Sequence, residues 1–423
     1  MYDQDSVSFY LECGFFPQVV PGALTELFPR LFSGSNTRNV SQESESSLVG
    51  RGLDTLISCF ERVEGNEHVL PLSGGLDSRA ILAGLMHAGL HKRITAVTFG
   101  SPGTYDFEIA AQIIKKYGLR HEVIDLSQIQ VNTDKLLQAA RDGGSRTFLF
   151  DAYYNSIVTR RFGSQVTYWS GFLGGELAGS HIPPEESTSW SQALSHFLTY
   201  NQLRHPVRLS RPGYDPRQSL PQSPIVDSGE MTYDDQLDFA IRQTNYIRRV
   251  VLSDKYDYQV PFLNPDWVDF ILSIPRHLRL KKNLFKKILF ELSSDLFRLP
   301  LANFNGCGLQ ASKRELSRRK RLVKSRKTLD RDSRFAKWFL RPVWNWLGVF
   351  GTENYLDFQD AIRTRKDFQA VVRENVQDLD RRGLVGWLDG EALFKDHLNG
   401  ACNNAMGLLL LSALEISIKA EGR

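Results

Sequence analysis

The sequence predicts an α/β protein: a parallel sheet with flanking helices, followed by a helical C-terminal part. Three observations carry this expectation. Short apolar runs at Val69–Leu72, Ile94–Phe99 and His121–Ile124 each have the length of a buried strand. Between them, Arg79–Ala88 and Asp106–Tyr117 read as helices, closed by Gly89 and Gly118 at the position where a C-cap favours a residue tolerant of left-handed backbone. Strand–helix units at this spacing require right-handed crossovers and so a parallel sheet. In such sheets ligands bind beyond the carboxyl ends of the strands.

The flanks read differently. An aromatic segment, Phe9 to Phe16, is followed by the polar stretch SGSNTRNVSQESESS, which reads as a loop or linker. From Ser46 the pattern becomes regular, with Val49, Leu53, Leu56, Ile57 and Phe60 on one helical face. After about Pro300 a basic run and a tryptophan-rich segment appear, and the last 70 or so residues are helical by period, ending in the apolar stretch around Leu408–Ile418. The expected organisation is a linker-like segment over 1–45, the strand–helix domain over 46–300, and a helical region over 301–423 that packs on it.

Composition narrows the class. The chain has 423 residues, 42% hydrophobic and 24% charged, which excludes disordered, collagen-like and disulfide-scaffold proteins. A formal net charge of +4 is too mild to announce a nucleic-acid binder. Cys13, Cys59, Cys307 and Cys402 are too scattered for a CxxC pair or a zinc set and read as reduced thiols. The N-terminus is acidic where a secretory signal would be basic, and the longest apolar stretch, Ala405–Leu414, is about half of what a bilayer span needs. A cytoplasmic location is the simplest expectation.

The first strand runs directly into Ser73-Gly74-Gly75-Leu76-Asp77-Ser78. Two glycines let the backbone approach an anion, while successive amides and a helix N-terminus favour phosphate there. Ser73 and Ser78 can add hydroxyl donors, and Asp77 beside phosphate implies an intervening divalent cation, Mg²⁺. A plain strand–helix turn with a serine N-cap needs no such combination of two serines, two glycines and an acid.

This segment, LPLSGGLDSRAILAGL, resembles the pyrophosphate-binding loop of the asparagine synthetase and β-lactam synthetase branch of ATP pyrophosphatases. It is no classical P-loop, since GxxxxGK[ST] is absent. Further matches follow in order: Ser170–Leu177 (SGFLGGEL) resembles the family's second glycine-acid loop. Tyr256–Asn264 (YDYQVPFLN) resembles its E-x-R-x-P-F-L-D segment, and Lys286–Glu291 (KKILFE) the helix presenting its lysine. The final helix, Leu410 to Glu415, resembles the closing segment. The resemblance covers about residues 46–300 and implies an adenine-nucleotide α-hydrolase-like, PP-loop fold and an ATP-dependent ligase. In that chemistry a carboxylate attacks the α-phosphate, pyrophosphate leaves, and ammonia or an amine displaces AMP from the acyl-adenylate.

The resemblance implies ATP contacts at Leu72, Ser73, Gly74, Gly75, Asp77, Ser78, Thr98, Phe99 and Gly171, Mg²⁺ ligation by Asp77 and Glu176, and catalytic roles for Lys286 and Asp257. Taken alone, Lys286 is one more charge beside Lys281, Lys282 and Lys287, and Asp257 reads equally as a partner for a nearby Arg or Lys. Asp106, at the start of the second helix, reads as ordinary helix N-terminal chemistry. Gly175 stands where the family carries an Asp, Phe172 replaces Glu or Tyr, Gln259 replaces Arg, Asn264 replaces Asp, and Arg79 stands where many members have Ser. These changes argue against asparagine synthesis from aspartate and keep a nucleotide-binding homologue without catalysis in play, alongside a PP-loop tRNA-modifying or sulfur-inserting enzyme.

Full-length asparagine synthetases begin with a catalytic cysteine and a glutaminase domain. Here YLECGFFP resembles the linker between the two domains, and residues 1–72 precede the loop. The expected nitrogen source is free ammonia, a separate glutaminase, or an amine on another substrate, with a small-molecule, glycan or peptide carboxylate as acceptor. The run Lys313–Lys327 carries nine basic residues and one acid, Glu315. It reads first as a solvated face, then as contact with a membrane surface or anionic polymer, and last as RNA contact. Phe335, Trp338, Phe339 and Trp346 are not spaced for one helical face.

Overall fold

The computed structural model describes residues 2–32, 41–61, 63, 65, 67–227, 229, 231–332, 334–353 and 355–422, without the side chains of 330–338. Most of the polar stretch after Phe32 and the side chains of Phe335 and Trp338 therefore lie outside the described residues.

Five strands form one parallel sheet in the order β3-β2-β1-β4-β5: β1 (His68–Pro71), β2 (Ile94–Gly100), β3 (Arg120–Asp125), β4 (Thr167–Trp169) and β5 (Tyr258–Gln259). The strand order reverses between β1 and β4, which makes the crevice between their carboxyl ends the topological switch point of the sheet. Helices intervene in chain order: α1 (Gln4–Cys13), α2 (Glu45–Ser58), α3 (Asp77–His87), α4 (Tyr105–Tyr117), α5 (Leu149–Phe162), α6 (Gly174–Leu177), α7 (Asn283–Leu292), α8 (Lys313–Asp332), α9 (Arg334–Trp346), α10 (Lys366–Arg382) and α11 (Ala405–Ala420). Gly118 ends α4 at φ 61°, the left-handed C-cap expected there.

The alternation of side chains along the strands divides the core into two layers. Leu70 and Leu72 from β1 and Ile94 and Ala96 from β2 face α2, α3, α4 and α7 on one side. Val69 and Val97 face the other way, against α1, α5, α10 and α11. α11 is buried from Leu408 to Ile418 on every side, which is why its sequence is apolar all round. Its one buried acid, Glu415, accepts a bidentate pair from Arg382 at 2.8 and 2.9 Å. α1 contributes Val7, Tyr10 and Leu11 to this layer and Phe9 and Cys13 to a third cluster with Trp190 and Phe197, so its aromatics are core residues. Cys13 and Cys307 are buried, and all four cysteines are free thiols.

One glycine shows how tightly the first layer is packed. A Cβ on Gly84, in the middle of α3, would lie 2.3–2.5 Å from the Phe60 ring, and that ring is itself stacked on Trp169 at 5.6 Å. Gly84→Ala should gain about 1 kcal/mol of helix propensity and lose about 1–3 kcal/mol to overpacking. The expected net result is a lower urea midpoint at unchanged slope; a higher midpoint would show that Phe60 moves aside freely.

Candidate functional site

The loop Ser73–Ser78 closes on itself at the carboxyl end of β1. Ser73 N–H donates to Ser78 Oγ at 3.1 Å, the two hydroxyls lie 3.0 Å apart, and Gly75 N–H donates to Ser73 Oγ at 3.1 Å. Gly74 N–H donates to Asp106 Oδ1 at 2.9 Å. α3 starts without any side-chain cap, since Leu76 occupies the N-cap, so its first amides stay open to an anion. Gly74 has no room for a side chain: a Cβ would meet Ala302 Cβ at 2.9 Å, and Ala302 N–H donates to the Gly74 carbonyl at 2.9 Å.

Arg79, which stands where many family members have Ser, anchors this turn from beneath. Its guanidinium is fully buried and donates to the carbonyls of Gly74 (3.2 Å), Leu296 (3.3 Å), Leu299 (3.4 Å) and Pro300. Burial pushes its pKa down to about 9, with Asp106 and Tyr117 opposing.

The second glycine loop, Ser170–Gly175, leaves β4 and crosses directly over Asp77. A Cβ on Gly171 would lie 3.1 Å from Asp77 Cβ, one on Gly174 3.0 Å from Asp77 Oδ1, and one on Gly175 3.4 Å from Asp77 Oδ2. The turn needs Leu173 at φ 64°, a left-handed conformation that costs a non-glycine residue about 1 kcal/mol or more. Asp77 is half-buried, and its buried Oδ1 has no hydrogen-bond partner. Burial holds its carboxyl above the ordinary carboxylate range, partly offset by Lys282. Glu176 is also held above that range by burial, with His181 lowering it and Asp77 and Asp238 raising it. His181 bridges the pocket, its Nδ1 3.1 Å from Asp238 and its Nε2 3.7 Å from Glu176 Oε1.

Among the described residues no group of three or more His, Cys, Asp or Glu side chains converges as a metal cage. Two adjacent carboxylates, one with an orphaned oxygen, nonetheless fit a cation that takes its remaining ligands from phosphate and water, as Mg²⁺ commonly does.

Two lysines, Lys282 and Lys286, close the site from the opposite side. Lys281 and Lys282 both adopt left-handed backbone, φ 55° and 61°, immediately before α7. The twist carries the Lys282 ammonium to within 3.1 Å of where a Gly175 side chain would begin, so the ammonium adjoins the space that an aspartate at 175 would occupy. Lys286 Nζ stacks over the Phe304 ring at 5.4 Å, beside the Ala302–Phe304 turn that buttresses Gly74. Burial and then the charges of Lys282 and Lys281 lower its pKa. Lys287 points outward to Glu45.

The other expected residues are dispersed. Leu72 is buried at the end of β1, and Thr98 Oγ1 lies 3.1 Å from His121 Nε2. Phe99 stacks on Tyr355 at 5.8 Å. Asp257 sits level with Thr167 at the amino end of β5 and accepts from its hydroxyl at 2.8 Å, so the structure does not bring it to the glycine loops. Lys282, Asp106, His181 and Asp238 join the site without having been expected in it. Only the acid at the start of α4 had a sequence signal, and the other three are brought in by backbone twist and tertiary packing.

Asp77 supplies a test. Because its carboxyl is held above the ordinary range, ionising it in the fold costs stability, which is lost as pH rises above about 4. Asp77→Asn should therefore stabilise the fold at pH 7 without divalent cation, by about 1–3 kcal/mol of unfolding free energy. It should also abolish the stabilisation that Mg²⁺ with ATP gives the parent. A less stable variant that keeps the Mg²⁺ and ATP shift would remove Asp77 from the site.

Residues 66–157 match the family model described as asparagine synthase. No curated protein matches the chain. The matched stretch runs from β1 through the glycine-serine loop to α5, the half of the sheet that builds the anion site. Over residues 66–157 the chain is thus similar to the asparagine synthase family, a likeness that implies an ATP-dependent ligase in general.

Proposed function

We propose that the chain forms an amide bond through an acyl-adenylate, releasing AMP and pyrophosphate. One observation supports this most: the Asp77 carboxylate, its buried Oδ1 without a partner, lies between two glycine loops at the switch point with Lys282 beside it, while Lys286 stands on α7 over the Phe304 ring that follows the turn buttressing Gly74. A carboxylate oxygen of the acceptor attacks the α-phosphorus, and the bond to the β-phosphate oxygen breaks. The amine nitrogen then attacks the acyl carbon, loses its proton, and AMP departs.

Each group has a task in this scheme. The amides of Ser73–Ser78 and the open N-terminus of α3 hold the departing pyrophosphate. Mg²⁺ bound by Asp77 and Glu176 would neutralise phosphate charge. Lys282 and Lys286 sit where negative charge accumulates, first on phosphate and later on the tetrahedral carbon, and burial strengthens their field. Lys286 also has a weakened hold on its proton, which an arriving anion restores. Asp257 has no task here, given its place at the amino end of β5. The acceptor is a carboxylate of a small molecule, glycan or peptide, and the nitrogen comes from ammonia, a separate glutaminase or another amine.

Exchange of labelled pyrophosphate into ATP, with Mg²⁺ and a panel of carboxylates, tests the reading. Exchange should depend on the carboxylate and fall at least about 100-fold in Lys286→Ala. Lys282→Ala should show a comparable loss, and Lys287→Ala should leave exchange unchanged. RNA-dependent AMP release would instead indicate a nucleic-acid-modifying enzyme, and ATP binding without any exchange would indicate a non-catalytic homologue.

A further inference from the structure

The basic run in α8 divides into two groups with different work. Arg319 donates to the Leu347 carbonyl at 2.6 Å, and the buried Arg326 donates to that of Val349. These two satisfy carbonyls at and just beyond the end of α9 and fold it back along α8 as an antiparallel hairpin. Every other basic residue of Lys313–Lys327 is exposed, Lys320, Arg321, Lys324 and Lys327 among them. Val323 from α8 and Trp344 from α9 pack on the first core layer, so the opposite faces of both helices point away from the protein.

Among its described side chains, the second half of α9 carries an exposed apolar stripe that Leu347 extends past the helix end. Phe339, Val343, Trp346 and Leu347 stand at i, i+4, i+7 and i+8, with exposures of 56%, 51%, 84% and 37%. Of the aromatics weighed in the sequence, Phe339 and Trp346 lie on this stripe and Val343 and Leu347 complete it, while the neighbouring Trp344 turns inward. A contiguous apolar stripe headed by tryptophan, beside a helix of exposed lysines and arginines, combines the two attractions of an interfacial helix. A polyanion such as RNA would use the cations but has nothing to offer Val343 and Leu347. No helix among the described residues is long and apolar enough to cross a membrane.

We propose that the α8–α9 hairpin docks on the surface of a bilayer containing anionic phospholipid. The Phe339–Leu347 stripe lies at the headgroup–acyl boundary, and the exposed cations of α8 meet the lipid phosphates. The hairpin is tied to the protein by backbone: Gly351 donates to Gly103 at 2.8 Å and accepts from Tyr105 at 2.8 Å, and Arg341 donates to the Pro102 carbonyl at 2.6 Å. These contacts fall on the loop between β2 and α4, at the carboxyl edge of the sheet where the glycine loops lie.

Flotation of the full chain with vesicles tests this. Binding to phosphatidylcholine vesicles with roughly 30% phosphatidylglycerol should exceed binding to pure phosphatidylcholine at least about tenfold and weaken as salt is raised. Val343→Ser with Trp346→Ser, and separately Lys320→Glu with Lys324→Glu, should each lower it about tenfold while leaving the melting temperature and pyrophosphate exchange unchanged. In the unaltered chain, brominated phosphatidylglycerol should quench tryptophan fluorescence. Equal binding to both vesicles, no binding, no quenching, or a loss confined to the charge variant would each overturn the proposal, the last by showing contact with a soluble polyanion.

Discussion

The geometry of the anion loop depends on one buried cation. Arg79 lies on the first turn of α3, yet its guanidinium turns back under the loop and gathers carbonyls from Gly74 and from the Leu296–Pro300 segment more than 200 residues away. A buried charge of this kind is tolerated only when its donors are engaged. The carbonyl dipoles engage both terminal nitrogens, leaving only Nε without a partner, and in return the cation ties the turn to the segment after α7. The segment after α7 meets the loop beside this contact, with Ala302 against Gly74 and Phe304 under Lys286. The family's more usual serine at this position could not span the same distance, so this chain holds a common loop in place by a different means.

The fold was legible where hydrophobic period and glycine punctuation agree. β1, β2 and β3, with the helices between them, fall within a residue or two of where the apolar runs put them. β4 and β5 are three and two residues long, too short to leave a pattern, and only the loops that follow them were recognisable. The site was legible to the same depth. Its glycines and Asp77 are local in sequence, and local chemistry implies an anion and a cation. Lys282 could not be read, because nothing in LKKN announces two consecutive left-handed lysines. Asp106 looked like an ordinary helix-start acid, and its bond to Gly74 spans 32 residues. In the opposite sense, the YDYQVPFLN segment suggested an acid at the loops, whereas the sheet register leaves Asp257 at the other end of β5.

The altered second loop makes sense beside the lysine twist. A carboxylate on residue 175 would crowd Lys282 and Ser180 and would add a third acid to a pair that already resists ionisation. Glycine there admits an ammonium group instead. The exchange leaves out one negative charge and makes room for one positive one, and it brings the loop after β4 against the strained turn before α7.

The self-closed state of the Ser73–Ser78 loop has a kinetic meaning. Three of its amides are not idle before a ligand arrives: those of Ser73, Gly74 and Gly75 donate to Ser78, Asp106 and Ser73. An anion reaches these three by exchange, one acceptor for another, while the uncapped start of α3 receives it directly. Such a loop behaves as a latch with its own internal tongue. It stays shaped without a ligand, it favours anions with several oxygens that can replace all three internal acceptors together, and it can let such an anion go by re-forming its own internal bonds.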